Sequence, residues 1–202
     1  MYITIEKRIE VSYNMPKSGS GAKSDGSMPD NSDGAVSISN ERIADGRVVR
    51  IMTEYKIQAS QLFPELKGQI YDFFNKMTQG NISGADGYYD RANKTIAVDS
   101  HVASGREERL REVVSHELAH ALASVPRRGF RTTQDAFNQA HAIFVKGIRG
   151  SHKPSQADFA STISAYAASS RNEAFAEAFR DYTMNGKRAT RAAKLIMQQW
   201  RG

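Results

Sequence analysis

His116-Glu117-Leu118-Ala119-His120 is the stretch that decides how this chain is read. It lies within a run, about residues 105–124, whose Leu110, Val113, Val114, Leu118, Ala121 and Leu122 recur with helical spacing. A helix turns once every 3.6 residues, so two side chains four apart return to the same face about one turn along the axis. Two imidazoles placed that way can point at one metal ion. Glu117, about 100° around the helix from His116, can reach a water on that ion without being a ligand itself. An apolar helix is a costly place for two imidazoles and a carboxylate unless something pairs with them. The pattern therefore predicts that His116 and His120 are metal ligands and that Glu117 is a general base.

Composition narrows the alternatives. The chain has 202 residues, no cysteine, 28 Lys and Arg against 22 Asp and Glu, and a net charge of +6. Without cysteine there is no disulfide, no thiolate metal site and no cysteine nucleophile, so any zinc must be held by histidine and carboxylate. No alternation of basic and aromatic residues accompanies the charge, so an ordinary basic surface is expected and nucleic acid is not an expected partner. No apolar run reaches membrane-spanning length. Residues 1–13 lack a basic-then-apolar signal pattern, so the expectation is a signal lying outside this sequence, export by another route, as part of a phage particle for example, or retention in the cell.

Outward from the motif, residues 1–13 alternate as a half-buried strand. Residues 14–46, rich in Gly, Ser, Asp and Asn, predict a long flexible loop ending in an Asp45-Gly46 turn, followed by a second strand over Val48–Ile57. Leu62, Phe63, Leu66, Ile70, Phe73, Phe74 and Met77 predict an amphipathic helix over 60–78. Gly87–Asp99 reads as a hairpin turning at Asp90–Lys94. Helices are expected over 133–147, 155–167, 171–184 and 188–200, the third opened by Ser170 and ended by Asn185-Gly186. The last presents Lys187, Arg191, Lys194 and Arg201 outward. The expected organisation is an N-terminal region over 1–58 and a catalytic domain over 59–202, forming one compact unit overall.

Two histidines need a third protein ligand and an open fourth position for hydrolytic chemistry. The run Asn172-Glu173-Ala174-Phe175-Ala176-Glu177 supplies two candidates, because Glu173 and Glu177 share a helix face among small residues. His101, His141 and His152 belong to no motif and are read as surface or internally satisfied side chains.

The HExxH motif followed by this Asn-Glu-x-x-Ala-Glu run resembles the gluzincin metallopeptidases. The stretch from Tyr166 through Arg180 is similar to the catalytic domain of anthrax toxin lethal factor and to the clostridial Pro-Pro endopeptidases. The resemblance covers about residues 86–183. It implies an α+β zincin-like fold with a small twisted sheet, an edge strand packed on the HExxH helix, and a mostly helical C-terminal half. It also implies one Zn2+ per chain held by His116, His120 and Glu173, with Glu177 supporting His116 from behind and Tyr166 donating to the developing oxyanion. The Gly87–Asp99 hairpin, through Tyr88, Tyr89, Thr95, Ile96 and Ala97, would line the cleft and pair with a peptide substrate. The implied activity is zinc-dependent endopeptidase cleavage of a protein or peptide, through a zinc-bound water activated by Glu117. The implied context is a secreted toxin or effector, or a phage-virion protease that assembles into a larger particle, rather than a resident cytoplasmic enzyme. The alternative is a zincin scaffold with little turnover that serves as a structural or interaction component.

Overall fold

The computed structural model describes Met28 and residues 36–66, 76–124 and 130–202. They fall into two compact units, one holding the described residues from 36 to 124, the other Met28 with 130–202. The class is α+β, with a small mixed sheet of four strands. No helix among the described residues is long and apolar enough to cross a membrane.

The first unit runs β1 (Ser37–Ile43), α1 (Gly46–Leu62), β2 (Lys76–Ser83), β3 (Gly87–Asp90), β4 (Thr95–Asp99), α2 (Ser100–Ser104) and α3 (Glu107–Ser124). The sheet order is β1-β2-β4-β3. β1 runs antiparallel to β2, with a register shift between Ser39 and Arg42 where Asn40 takes a positive φ of 53°. β2 and β4 are parallel, and β3 returns antiparallel on β4 with Tyr88 opposite Ala97. The predicted hairpin is therefore present, its turn held by the Asp90 carboxylate, which accepts from the Ala92 and Asn93 N–H groups at 2.9 and 3.0 Å. Val36, Ile38, Tyr88 and Ala97 form a buried cluster of the sheet.

Four expectations for the first unit are corrected. Residues 37–43, placed in a flexible loop, form strand β1. Val48–Ile57, read as a strand, lies in helix α1. Asp45 opens that helix rather than a turn: its carboxylate accepts from the N–H groups of Arg47 and Val48. Burial of Val48, Ile51, Met52, Tyr55 and Ala59 follows the helical period, which overrides the β-branched run Val48-Val49-Ile51. The helix expected over 60–78 is not found at its two ends, and 67–75 lie outside the described residues. α1 ends at Leu62, Pro64–Leu66 is a single 3₁₀ turn, and Met77 lies in β2. Pro64 has no N–H to continue the ladder, which fits termination there. The strand over 1–13, and residues 14–27 and 29–35 of the expected loop, lie outside the described residues.

α3 packs on α1, β3 and β4, and buries Leu110, Val113, Val114, Leu118, Ala121 and Leu122. Each fully buried Leu or Val contributes about 1.5–3 kcal/mol. Arg50 and Glu54 on α1 form a ring of ion pairs with Glu107 and Arg111 on α3, all at 2.7–2.8 Å.

The second unit is helical: α4 (Thr133–Lys146), α5 (Gln156–Ser161), a 3₁₀ turn (Tyr166–Ser169), α6 (Arg171–Asn185), a 3₁₀ turn (Gly186–Arg188) and α7 (Arg191–Arg201). The helix expected over 155–167 is thus broken after Ser161. α4 and α7 are antiparallel neighbours. The Arg131 N–H donates to the Trp200 carbonyl at 3.0 Å, and at the other end the Arg191 guanidinium lies over Phe144. Phe175 and Trp200 meet edge to face at 5.0 Å, as do Phe137 and Phe159 at 5.5 Å. Gly186, at φ 53°, ends α6 in a conformation a side chain would strain.

Candidate metal centre

α3 opens with Glu107 and Glu108, acids that complement the positive end of the helix dipole. Its middle turns then enter the buried interior: His116 and Glu117 are 8% and 4% exposed, and His120 is partly buried. The i, i+4 spacing brings the Nε2 atoms of His116 and His120 to 3.0 Å, with ring centroids 4.8 Å apart. Two nitrogens at about 2.0–2.1 Å from one tetrahedral ion lie roughly 3.3 Å apart, so this pair is close to ligating geometry.

Glu117 has a close neighbour on β3. A methyl group on Gly87 would lie 2.6 Å from Val113 Cγ1, 3.0 Å from the Ala97 carbonyl oxygen and 3.3 Å from Glu117 Cγ. The missing side chain is what allows the strand to approach α3 at Glu117. No signal in the sequence separated this glycine from an ordinary turn glycine.

Glu173 occupies the first turn of α6. Ser170 caps that turn, its hydroxyl accepting from the Glu173 N–H at 3.1 Å. The carboxylates of Glu173 and Glu177 are not on a solvated face: the residues are 3% and 2% exposed, and Ala174, Ala176 and Ala178 beside them are fully buried. Glu177 Oε2 accepts from Ser164 Oγ at 2.6 Å and pairs with the Arg180 guanidinium at 2.8 Å. The Ser164 hydroxyl also accepts from the Ala167 N–H at 3.0 Å, inside the turn that Tyr166 opens. Ser164 and Arg180 are polar partners that the sequence reading did not assign. Arg180, three residues after Glu177 on a helix, was the visible signal.

One ligand atom from each of His116, His120 and Glu173 lies within 4.8 Å of the others. Burying a carboxylate beside two imidazoles is costly without a cation to balance it, so these residues fit a divalent metal ion. A nitrogen, nitrogen, oxygen donor set suits zinc and also other first-row divalent ions.

The remaining expected residues are placed as follows. Tyr166 is partly buried at the start of its 3₁₀ turn. Tyr88 and Tyr89 lie on β3, one of the two end strands of the described sheet, and both are buried; Tyr89 accepts a hydrogen bond from Ser124 Oγ at 3.3 Å. Burial, with Glu41 and Asp90 adding to it, pushes the Tyr88 hydroxyl up to about 12. Thr95, Ile96 and Ala97 lie on β4, which pairs with β2 on one side and β3 on the other. Their backbone is thus committed within the sheet, and of the two hairpin strands it is β3 that has the end position strand addition requires. His141 Nε2 lies 3.0 Å from the Pro154 carbonyl oxygen and its ring packs on Phe159, while His101 and His152 are exposed.

Comparison with protein-family models, with curated proteins and with solved structures finds no match to this chain.

Proposed function

We propose that this chain is a zinc-dependent metalloendopeptidase of the gluzincin type, with a zincin-like fold and one ion per chain. The observation that carries the reading is the convergence of the His116, His120 and Glu173 ligand atoms within 4.8 Å, with Glu117 adjacent to His116 on the same helix. When bound, the ion supplies Lewis acidity toward a water and toward a peptide carbonyl. Glu117 takes the proton of the attacking water and passes it to the leaving amine, a transfer favoured by its burial and fixed position. The Tyr166 hydroxyl donates to the oxygen that gains charge in the tetrahedral transition state. Glu177 orients the imidazole of His116 by accepting its other ring N–H. Ser164 and Arg180 already engage Glu177 Oε2, so this role falls to Oε1. The substrate is a protein or peptide, whose extended backbone adds to the open side of β3.

The test combines metal content with cleavage. Purified chain is assayed for bound metal by mass spectrometry and for cut sites in a proteome-derived peptide library. Glu117→Gln is expected to keep its metal and lose cleavage, and Glu173→Ala to lose both. A wild-type chain that binds no divalent ion, or a Glu117→Gln variant that still cuts, sinks the proposal.

A further inference from the structure

The net charge of the whole chain hides an uneven division. Residues 130–202 carry eleven Lys and Arg against five Asp and Glu, whereas the described residues of 36–124 carry ten against eleven. Of the five acids in 130–202, Glu173 and Glu177 are buried. The excess is also concentrated. Arg191, at the start of α7, lies over the Phe144 ring at 5.2 Å, and its guanidinium is next to Gly147 at the end of α4. Lys146 and Arg149 flank that glycine. Lys153 returns to the same end, donating to the carbonyls of Val145 and Ile148. Lys194 donates to the Lys187 carbonyl at 3.1 Å, and Arg188 is the next residue. Seven exposed cations thus share the end of the unit where α4 finishes and α7 begins.

Among the described residues, none of the seven is in an ion pair. The contrast with the first unit is sharp, since Arg50, Arg109 and Arg111 there are each matched by carboxylates. The acid nearest α7 in sequence, Asp181, is occupied by the Thr190 N–H and the Asn185 amide. Asp158 serves Ser155 at the start of α5.

We infer that this end of the helical unit is a docking surface for the sugar-phosphate backbone of a nucleic-acid duplex. The chemistry selects that partner over two others. A protein interface carries an apolar centre inside a polar rim, and a membrane-binding face inserts apolar side chains. Here the one exposed large apolar side chain among the described residues of the unit is Ile143, 42% exposed. Among the described residues of 130–202 no aromatic is exposed to stack single-stranded bases. What remains is a set of cations, with Arg191 preorganised on Phe144, suited to phosphate oxygens and indifferent to sequence.

The test is anisotropy of a labelled DNA duplex of about 20 base pairs with the full chain, over roughly 50 to 300 mM KCl. About five phosphate contacts predict a slope of log affinity on log salt near −4 to −5. Arg149→Glu/Arg188→Glu/Arg191→Glu is expected to weaken binding at least about tenfold and flatten the slope by about 2 to 3. A second variant, Lys146→Glu/Lys187→Glu/Arg188→Glu, leaves the Arg191–Phe144 contact intact and should act in the same direction with an unchanged melting temperature. No binding at the lowest salt, undiminished affinity in both variants, or tighter binding to phosphatidylserine vesicles or polyglutamate than to the duplex overturns the assignment. None of these readouts involves the peptidase reaction.

Discussion

Gly87 on β3 lies so close to Glu117 on α3 that a side-chain methyl at Gly87 would stand 3.3 Å from Glu117 Cγ and 2.6 Å from Val113 Cγ1. Close-packed interiors do not absorb such an intrusion without moving backbone or side chains. Gly87→Ala is therefore expected to cost about 1–3 kcal/mol of stability. It should also displace the Glu117 carboxylate, lowering kcat more than it raises KM. Thermal melts and peptide hydrolysis measure the two effects. An alanine variant of unchanged stability and activity would show that the strand is freer than its packing implies.

The ring formed by Arg50, Glu54, Glu107 and Arg111 gives α3 a pH-dependent attachment to α1. The Arg111 guanidinium, with Arg50 second, holds both Glu54 and Glu107 below the ordinary value of 4.5. A carboxylate depressed in the folded state adds stability that is complete above its unfolded pKa and is lost as pH falls through the folded one. Acid destabilisation should therefore start just below about pH 4.5 and continue downward. Arg111→Gln is expected to raise the midpoint of acid unfolding by roughly a few tenths of a pH unit, and added salt should shrink the difference because the ring is exposed. Circular dichroism across pH 2 to 6, in low and high salt, reads both.

How much was legible beforehand depended on whether the signal was local. The α3 motif, the β3–β4 hairpin and the Ser170-capped α6 rest on patterns within a dozen residues, and the structure carries them. α1 was misread because Asp45-Gly46 satisfies both a turn and a helix cap, and because Val48-Val49 favours a strand locally. Only the burial of Ile51, Met52, Tyr55 and Ala59 on one face decides the matter, and that is tertiary information. Glu173 could be assigned to a helix face from the sequence, but 53 residues separate it from His120 and nothing in that interval states a distance. Gly87 and Ser164 act through packing and a side-chain hydrogen bond, which no spacing rule encodes.

Ser170 ties the first turn of α6 to the metal reading. Its hydroxyl takes the N–H of Glu173 itself, so the cap and the proposed ligand share one residue. Ser170→Ala should cost about 1 kcal/mol through the lost cap. If that loosening is felt wholly at Glu173, zinc affinity falls about fivefold, the same free energy expressed as binding. Melting of the metal-free chain and competition with a zinc chelator separate the two. Loss of stability with undiminished affinity would mean that Glu173 is held by its burial and not by its turn.

Ser164 offers the sharpest test of whether Glu177 matters to the reaction. Its hydroxyl donates to Glu177 Oε2 and accepts from the Ala167 N–H, linking the carboxylate to the turn that begins at Tyr166. Ser164→Ala removes a hydrogen bond to a buried charge, a loss of about 1.5–3 kcal/mol. The ion pair of Oε2 with Arg180 at 2.8 Å stays in place. The expected outcome is a fall in kcat with little change in KM, since substrate would bind as before while the groups serving the transition state lose their alignment. Ser164→Thr keeps the hydroxyl and should restore kcat even where its extra methyl lowers stability. A variant series in which activity simply follows melting temperature would reduce Ser164 to a structural role.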